Sequence, residues 1–169
     1  MPAVTVREAT PSDIGAIHSI YAHHVLHGFG SFELEPPSQE EMAKRHHAVA
    51  EVAGTPFLVA ESNAEVVGYA YAAPYKTRPG YRYTVEDSVY VSPSSYRFGA
   101  GRRLLEELVD RCTAAGFREM VAVIGDSGNT ASIKLHEAVG FAHVGVLRNV
   151  GWKHERWLDT VIMQRAMAR

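Results

Sequence analysis

The sequence predicts a mixed α/β fold, and three observations predict it: capped helices near the N-terminus, a two-stranded hairpin after them, and a strand–helix–strand–helix series from Thr84 to Val139. Val4 and Val6 alternate with polar residues, as in a short opening strand. Thr10-Pro11-Ser12-Asp13 supplies an N-cap, a proline at the first helical position and an acid in the first turn, so a helix is expected through about Val25. Gly28 and Gly30 break it, and Ser38-Gln39-Glu40-Glu41 has the form of a capping box opening a second helix toward Ala53. Phe57–Glu61 and Val66–Ala73 read as a hairpin about Ser62-Asn63-Ala64. Thr84–Val91 carries an apolar, β-rich strand, and Ser92-Pro93 ends it because proline offers no amide hydrogen to a ladder. Leu104, Leu105, Leu108, Val109 and Cys112 then fall at helical spacing, with Gly116 where a helix C-terminus favours a left-handed residue. A strand Met120–Ile124, a helix Thr130–Val139 stopped by Gly140, and strands Val144–Leu147 and Thr160–Met163 complete the chain.

Nothing in the 169 residues marks a linker or a shift of composition, so one domain over 1–169 is expected. A formal net charge of −2 gives no attraction to polyanions and speaks against nucleic acid as a partner. Cys112 is the single cysteine; its place on the apolar stripe of a helix suggests a buried thiol, not a nucleophile. There is no basic start followed by an apolar segment, and no run of about 18 apolar residues, so a cytoplasmic protein without membrane association is expected. Nine histidines raise the question of a metal. The sequence has no H-E-x-x-H and no paired C-x-x-C, and no carboxylate is spaced to complete His23/His27 or His46/His47, so no metal is expected. His18, His23, His24, His27, His46 and His47 read as solvated or capping side chains.

The glycine turn has more chemistry in it. Gly99 and Gly101 lie at the entrance of a helix, where free amides point outward and the missing Cβ atoms let a pyrophosphate approach; Arg97, Arg102 and Arg103 add positive charge to the rim. No G-x-x-x-x-G-K-[ST] string is present, and Leu104 stands where a dinucleotide fingerprint needs its third glycine. The expected ligand is a pyrophosphate held in another way, with a branched side chain at Gly101 standing in its path.

Three ordered segments, TVEDSVYV (84–91), VAVIGDSGNTASIKLHEAVGF (121–141) and GWKHERWLD (151–159), resemble the GNAT superfamily of acetyl-CoA-dependent N-acetyltransferases, and within it the phosphinothricin and methionine sulfone/sulfoximine acetyltransferase group. The resemblance spans nearly the whole chain. It implies a mostly antiparallel sheet flanked by helices and splayed near its fourth and fifth strands, leaving a slot for the pantetheine arm, and it favours a homodimer. It also implies acetyl-CoA contacts from Val89, Tyr90 and Val91, from Arg97, from the backbone of Phe98, Gly99, Ala100, Gly101, Arg102 and Arg103, and from Asn129, Ser132 and His136. Tyr96 departs from the Gln or Arg usual at its place.

Acetyl transfer needs a neutral amine and a proton for the departing sulfur. Strand alternation puts Glu86 and Asp87 on opposite faces, so one at most faces the slot; the resemblance selects Glu86 as base and leaves Asp87 an outward charge. His136 occupies a position where many of these enzymes carry a tyrosine proton donor, and it reads equally as a coenzyme A hydrogen-bond partner. The basic, aromatic stretch Tyr75–Tyr83 suits a small anionic acceptor: Arg78 or Arg82 could hold a carboxylate, phosphinate or sulfone oxygen beside Tyr83, the alternative for either arginine being a surface charge. The resemblance further places Phe32, Glu33 and a Trp152–Asp159 loop near the acceptor or a subunit interface. The expected function is acetylation of the α-amine of a small L-amino-acid analogue. A peptide-terminus or polyamine acetyltransferase, or a non-catalytic acyl-CoA sensor, are the alternatives.

Overall fold

The computed structural model describes residues 2–167. Strands β1 (Thr5–Glu8), β2 (Phe57–Ser62), β3 (Glu65–Pro74) and β4 (Thr84–Val91) run antiparallel in sequence order. β5 (Glu119–Gly125) joins β4 in parallel, and β7 (Arg156–Ala166) and β6 (Ala142–Lys153) follow antiparallel, giving one seven-stranded sheet in the order β1-β2-β3-β4-β5-β7-β6.

Side-chain alternation sorts the core into two layers. Phe57, Val59 and Tyr69 face α1 (Ile14–His27) and α2 (Gln39–His47), packing with Ile17, Val25 and Met42. Leu58, Ala60, Ala70 and Val85 face the other way, onto α3 (Ala100–Ala114) and α4 (Thr130–Ala138). The α3 stripe read from the sequence is the buried one: Leu104, Leu105, Leu108 and Cys112 are wholly inaccessible. Each such leucine contributes about 1.5–3 kcal/mol by leaving water. Burial, with the nearby Asp87 charge, pushes the Cys112 thiol up to about 12, which fits a packing role.

The β4–β5 pairing is short and decides the site. It covers only Thr84↔Glu119, Val85↔Met120 and Glu86↔Val121; beyond these the strands part. The splay expected at the fourth and fifth strands is therefore present.

Four local expectations change. The second helix ends at His47 and gives way to a wider π-helical turn, Ala48–Ala53, closed by Gly54 at φ +67°. β6 and β7 run to twelve and eleven residues, because register shifts at His143/Gly145 and Leu147/Gly151 interrupt the alternation that marks a strand in sequence. Trp152–Asp159 is not a loop: it is the end of the β6–β7 hairpin, turned on His154 and Glu155, both at positive φ. His46 is likewise buried, its ring edge-on to Phe57 at 4.9 Å, so it packs instead of facing solvent.

Candidate active site

Where β4 and β5 separate, a cleft of about 780 Å³ opens. Asp87 to Val91 form one wall and Ala122 to Asp126 the other, while the entrances of α3 and α4 converge above it. The residues of β4 beyond Glu86 have no strand partner on the β5 side, so their backbone groups are available to a ligand lying between the strands.

Gly99 adopts φ +73° as the N-cap of α3, a conformation glycine takes without strain. The amides of Gly99, Ala100, Gly101 and Arg102 donate to no described backbone group. Phe98 N–H is bound to Ser95 O at 3.1 Å and Arg103 N–H to Gly99 O at 3.2 Å, which narrows the expected set of free amides from six to these four. Arg102 lines the cleft and bonds Glu106; Arg97 is exposed; the Arg103 guanidinium turns away to Val4 O at 2.9 Å. A Cβ on Gly101 would point at Leu135 Cδ2, 3.3 Å away, and Val91 Cγ2, 3.4 Å away. Its missing side chain thus serves the packing of α3 against α4 and β4.

Asn129 caps α4, accepting from Ser132 N–H at 3.3 Å while its amide donates to Gly125 O at 2.9 Å, which ties the helix to the end of β5. Val89 and Val91 pack partly onto the core beside the cleft. The Tyr90 ring lies on the opposite face of β4, 5.1 Å from Tyr21 and 5.4 Å from Tyr69, where burial holds its phenol well above the ordinary value. His24, expected in solvent, is half-buried and meets Val91 O at 2.8 Å; burial lowers its pKa. Tyr96 is largely exposed beside it at the cleft mouth.

The two adjacent carboxylates do face opposite ways, but the one that lines the cleft is Asp87 and not, as expected, Glu86. Asp87, expected outside, is buried, lines the cleft and holds His136 Nε2 at 2.8 Å. Glu86 shares the Tyr90 face, half-buried and without an ion pair among the described residues; burial, then the Asp87 charge, raises its carboxyl pKa. His136 is itself buried, and its Nδ1 meets Ser132 O at 2.8 Å.

On that face the loop after α1 is strapped down. The Phe32 ring fills the space left by two glycines: a Cβ on Gly125 or Gly151 would come within 2.6 and 2.4 Å of it. Arg45 grips Glu33 through both guanidinium nitrogens at 2.9 and 2.8 Å, with Tyr21 donating to the same carboxylate, so Glu33 anchors the loop. The buried Lys153 donates to Ser31 O at 2.7 Å, and its burial lowers its pKa. Tyr21, Arg45 and Lys153 escaped the sequence reading because each is a lone polar residue whose partners lie far along the chain. Arg78 and Arg82 are exposed, the latter 4.6 Å above the Tyr83 ring with one nitrogen on Pro79 O, and neither has a carboxylate partner among the described residues.

The family model for an acetyltransferase (GNAT) domain matches residues 6–162. The chain belongs to the GNAT acetyltransferase family. Phosphinothricin N-acetyltransferase of Alcaligenes faecalis is 50% identical to this acetyltransferase over 165 residues, covering 98% of this chain and 83% of the relative. The L-methionine sulfoximine/L-methionine sulfone acetyltransferase of Salmonella typhimurium is 40% identical over 161 residues, covering 95% and 93% of the two chains. The crystal structure of a phosphinothricin acetyltransferase from Sinorhizobium meliloti in complex with acetyl-CoA superposes with a TM-score of 0.94 at 45% identity, covering 98% of this chain and 89% of that one. Among the described residues, no helix is long and apolar enough to cross a membrane.

Proposed function

We propose that this acetyltransferase moves the acetyl group of acetyl-CoA to the α-amine of a small L-amino-acid analogue of the phosphinothricin or methionine sulfone/sulfoximine kind. The observation that carries this reading is the cleft between β4 and β5, with four free amides at one end; Glu86, half-buried, stands at the last β4–β5 pair, on the face of β4 opposite Asp87, which lines the cleft. The relatives that act on these amino acids support the choice of acceptor. The residues fit the cosubstrate: the α3 amides suit a pyrophosphate, and the unpaired edge of β4 suits the amides of a pantetheine arm.

Acetyl-CoA supplies an activated acyl group to the site. Glu86 takes the proton of the acceptor's ammonium, which for a free amine near pKa 8 or above is needed at neutral pH. Arg78 or Arg82 holds the acceptor's carboxylate through the guanidinium fork. Direct transfer in a ternary complex follows. Free coenzyme A release with methionine sulfone, phosphinothricin, a polyamine and a short peptide tests the reading: turnover is expected on the first two, turnover on the others alone would favour the alternative amines, and cofactor binding without any turnover would favour an acyl-CoA sensor.

We further propose a homodimer built on β6. This strand is at the sheet edge and exposes Val144, Val146, Leu147, Val150 and Trp152, with Trp157 beside them on β7, so an edge strand and large apolar side chains are left uncovered together. Sedimentation is expected to give a dimer that Val146→Glu with Leu147→Lys converts to monomer; a wild-type monomer at micromolar concentration contradicts it.

A further inference from the structure

We propose that Asp87 is a positioning residue for the leaving-group half of the reaction, holding His136 as an imidazolium so that a proton waits in the Asp87–His136 bridge for the sulfur released in the cleft. The inference rests on the acetyl-transfer reading above. Its basis is the geometry of two side chains that are almost wholly enclosed, 2% exposed for Asp87 and 5% for His136.

His136 Nδ1 faces Ser132 O at 2.8 Å, and a carbonyl oxygen can only accept, so Nδ1 carries a hydrogen. Nε2 faces Asp87 Oδ2 at 2.8 Å. With a carboxylate there, Nε2 carries a hydrogen as well, and the ring is the charged form. The second oxygen of Asp87, Oδ1, is buried with no partner among the described residues, a costly state unless a donor reaches it from the cleft that Asp87 lines. Asp87 is also the first β4 residue past the β4–β5 pairing, at the depth where Glu86 stands on the opposite face. The two acid–base groups thus flank the point at which the strands part.

The charges around the ring agree. Burial opposes a charge on His136, and the Asp87 hydrogen bond and charge, with the Ser132 carbonyl, outweigh it, so its pKa stands above the ordinary value. β4 contributes Asp87 and, on its far face, Glu86; α3 contributes the buried Cys112 thiol and, in the cleft lining, Arg102, which is paired with Glu106; β5 faces this core with apolar Met120 and Ala122, and His24 of α1, Asp126 just past β5 and Arg156 of β7 line the same cleft. On α4, Lys134 and Glu137 are exposed, the latter paired with His143 of β6, and Arg165 of β7 lies at Gly140, past the helix end. Phe141 packs edge-on against the ring at 5.0 Å, while His136 still lines the cleft.

The proton balance is then complete. Glu86 first takes a proton of the ammonium and passes it to solvent; as the neutral amine nitrogen then bonds to the acyl carbon and the carbon–sulfur bond breaks, a second amine proton passes to Glu86 and the bridge proton passes from Nε2 to sulfur. Solvent returns a proton to His136 and takes one from Glu86. Were the ring neutral, the departing thiolate would meet the Asp87 charge in a buried cleft with nothing to offset it, so activity should fall at high pH as the bridge loses its proton.

The test is nitrogen-15 imidazole NMR on the protein without acetyl-CoA, with His136 assigned through His136→Gln. At pH 7.5 wild type should show both His136 nitrogens protonated, and Asp87→Asn a neutral ring with hydrogen on Nδ1 alone. Asp87→Asn should also lower kcat about a hundredfold, the low end of general-acid effects, with KM for acetyl-CoA little changed and the alkaline limb of the kcat profile moved to lower pH. A neutral wild-type ring, or an alkaline limb unmoved in the variant, overturns the proposal; if the variant fails to fold, the wild-type spectrum decides alone. Failure to acetylate any amine would instead overturn the functional reading and leave the ring's charge measurable.

Discussion

Glu86→Gln is expected to lower kcat at pH 7 by about 10²–10⁴-fold, the range a positioned general base supplies, while the calorimetric Kd for acetyl-CoA stays unchanged. The pH dependence carries the mechanism. Burial and the adjacent Asp87 hold the Glu86 carboxyl above the usual range, so its basic form fills only above that raised pKa. Wild-type kcat/KM should therefore climb with pH through the raised value. The glutamine variant should lose this limb and regain rate only where the amine deprotonates unaided. A variant that keeps the wild-type acid limb would remove Glu86 from the reaction and leave deprotonation to solvent.

Gly99→Val is expected to weaken acetyl-CoA binding by roughly ten- to a hundredfold. At φ +73° a β-branched residue is strained, at about 1–3 kcal/mol, and the chain relieves that strain by rotating the amides of Gly99 and Ala100 out of register with Gly101 and Arg102. With about 1.4 kcal/mol to each tenfold of affinity, that range corresponds to about 1.4–2.8 kcal/mol of the strain being released through the anion site. Gly116→Val is the control, since Gly116 sits at φ +93° past the other end of α3 and carries comparable strain far from the cleft. Calorimetry on both variants separates the cases: equal affinity in the two would remove the α3 amides from cofactor binding. Gly101→Val is a poorer probe, because its first contacts are Leu135 and Val91.

Most of the fold was legible because its signals are local. The α3 stripe, the proline that ends β4 and the caps at Thr10 and Ser38 each act within a few residues, and α3 and β4 lie where the sequence put them. β6 was harder, since its register shifts break the two-residue period and its apolar side chains face outward. The glycine turn pointed to an anion site for a sound physical reason, yet the backbone alone reveals which amides remain free. Asp87 was misread because alternation says that two neighbours face opposite ways without saying which way is inward. That answer came from His136, 49 residues on, whose partner no spacing rule predicts. Glu33 was noticed, but its clamp by Arg45 and Tyr21 is a contact between separate elements and leaves no mark in sequence.

The central claim is that the acceptor is an α-amino acid whose carboxylate a loop arginine reads, and one comparison tests it most directly: wild-type kcat/KM on methionine sulfone against its carboxamide. Losing a charge-assisted hydrogen bond costs about 1.5–3 kcal/mol, so the acid should be preferred by roughly ten- to a hundredfold, and Arg78→Ala or Arg82→Ala should abolish that preference along with part of the rate. Equal kcat/KM on acid and amide would contradict the account and move the acceptor to a peptide terminus or a general amine.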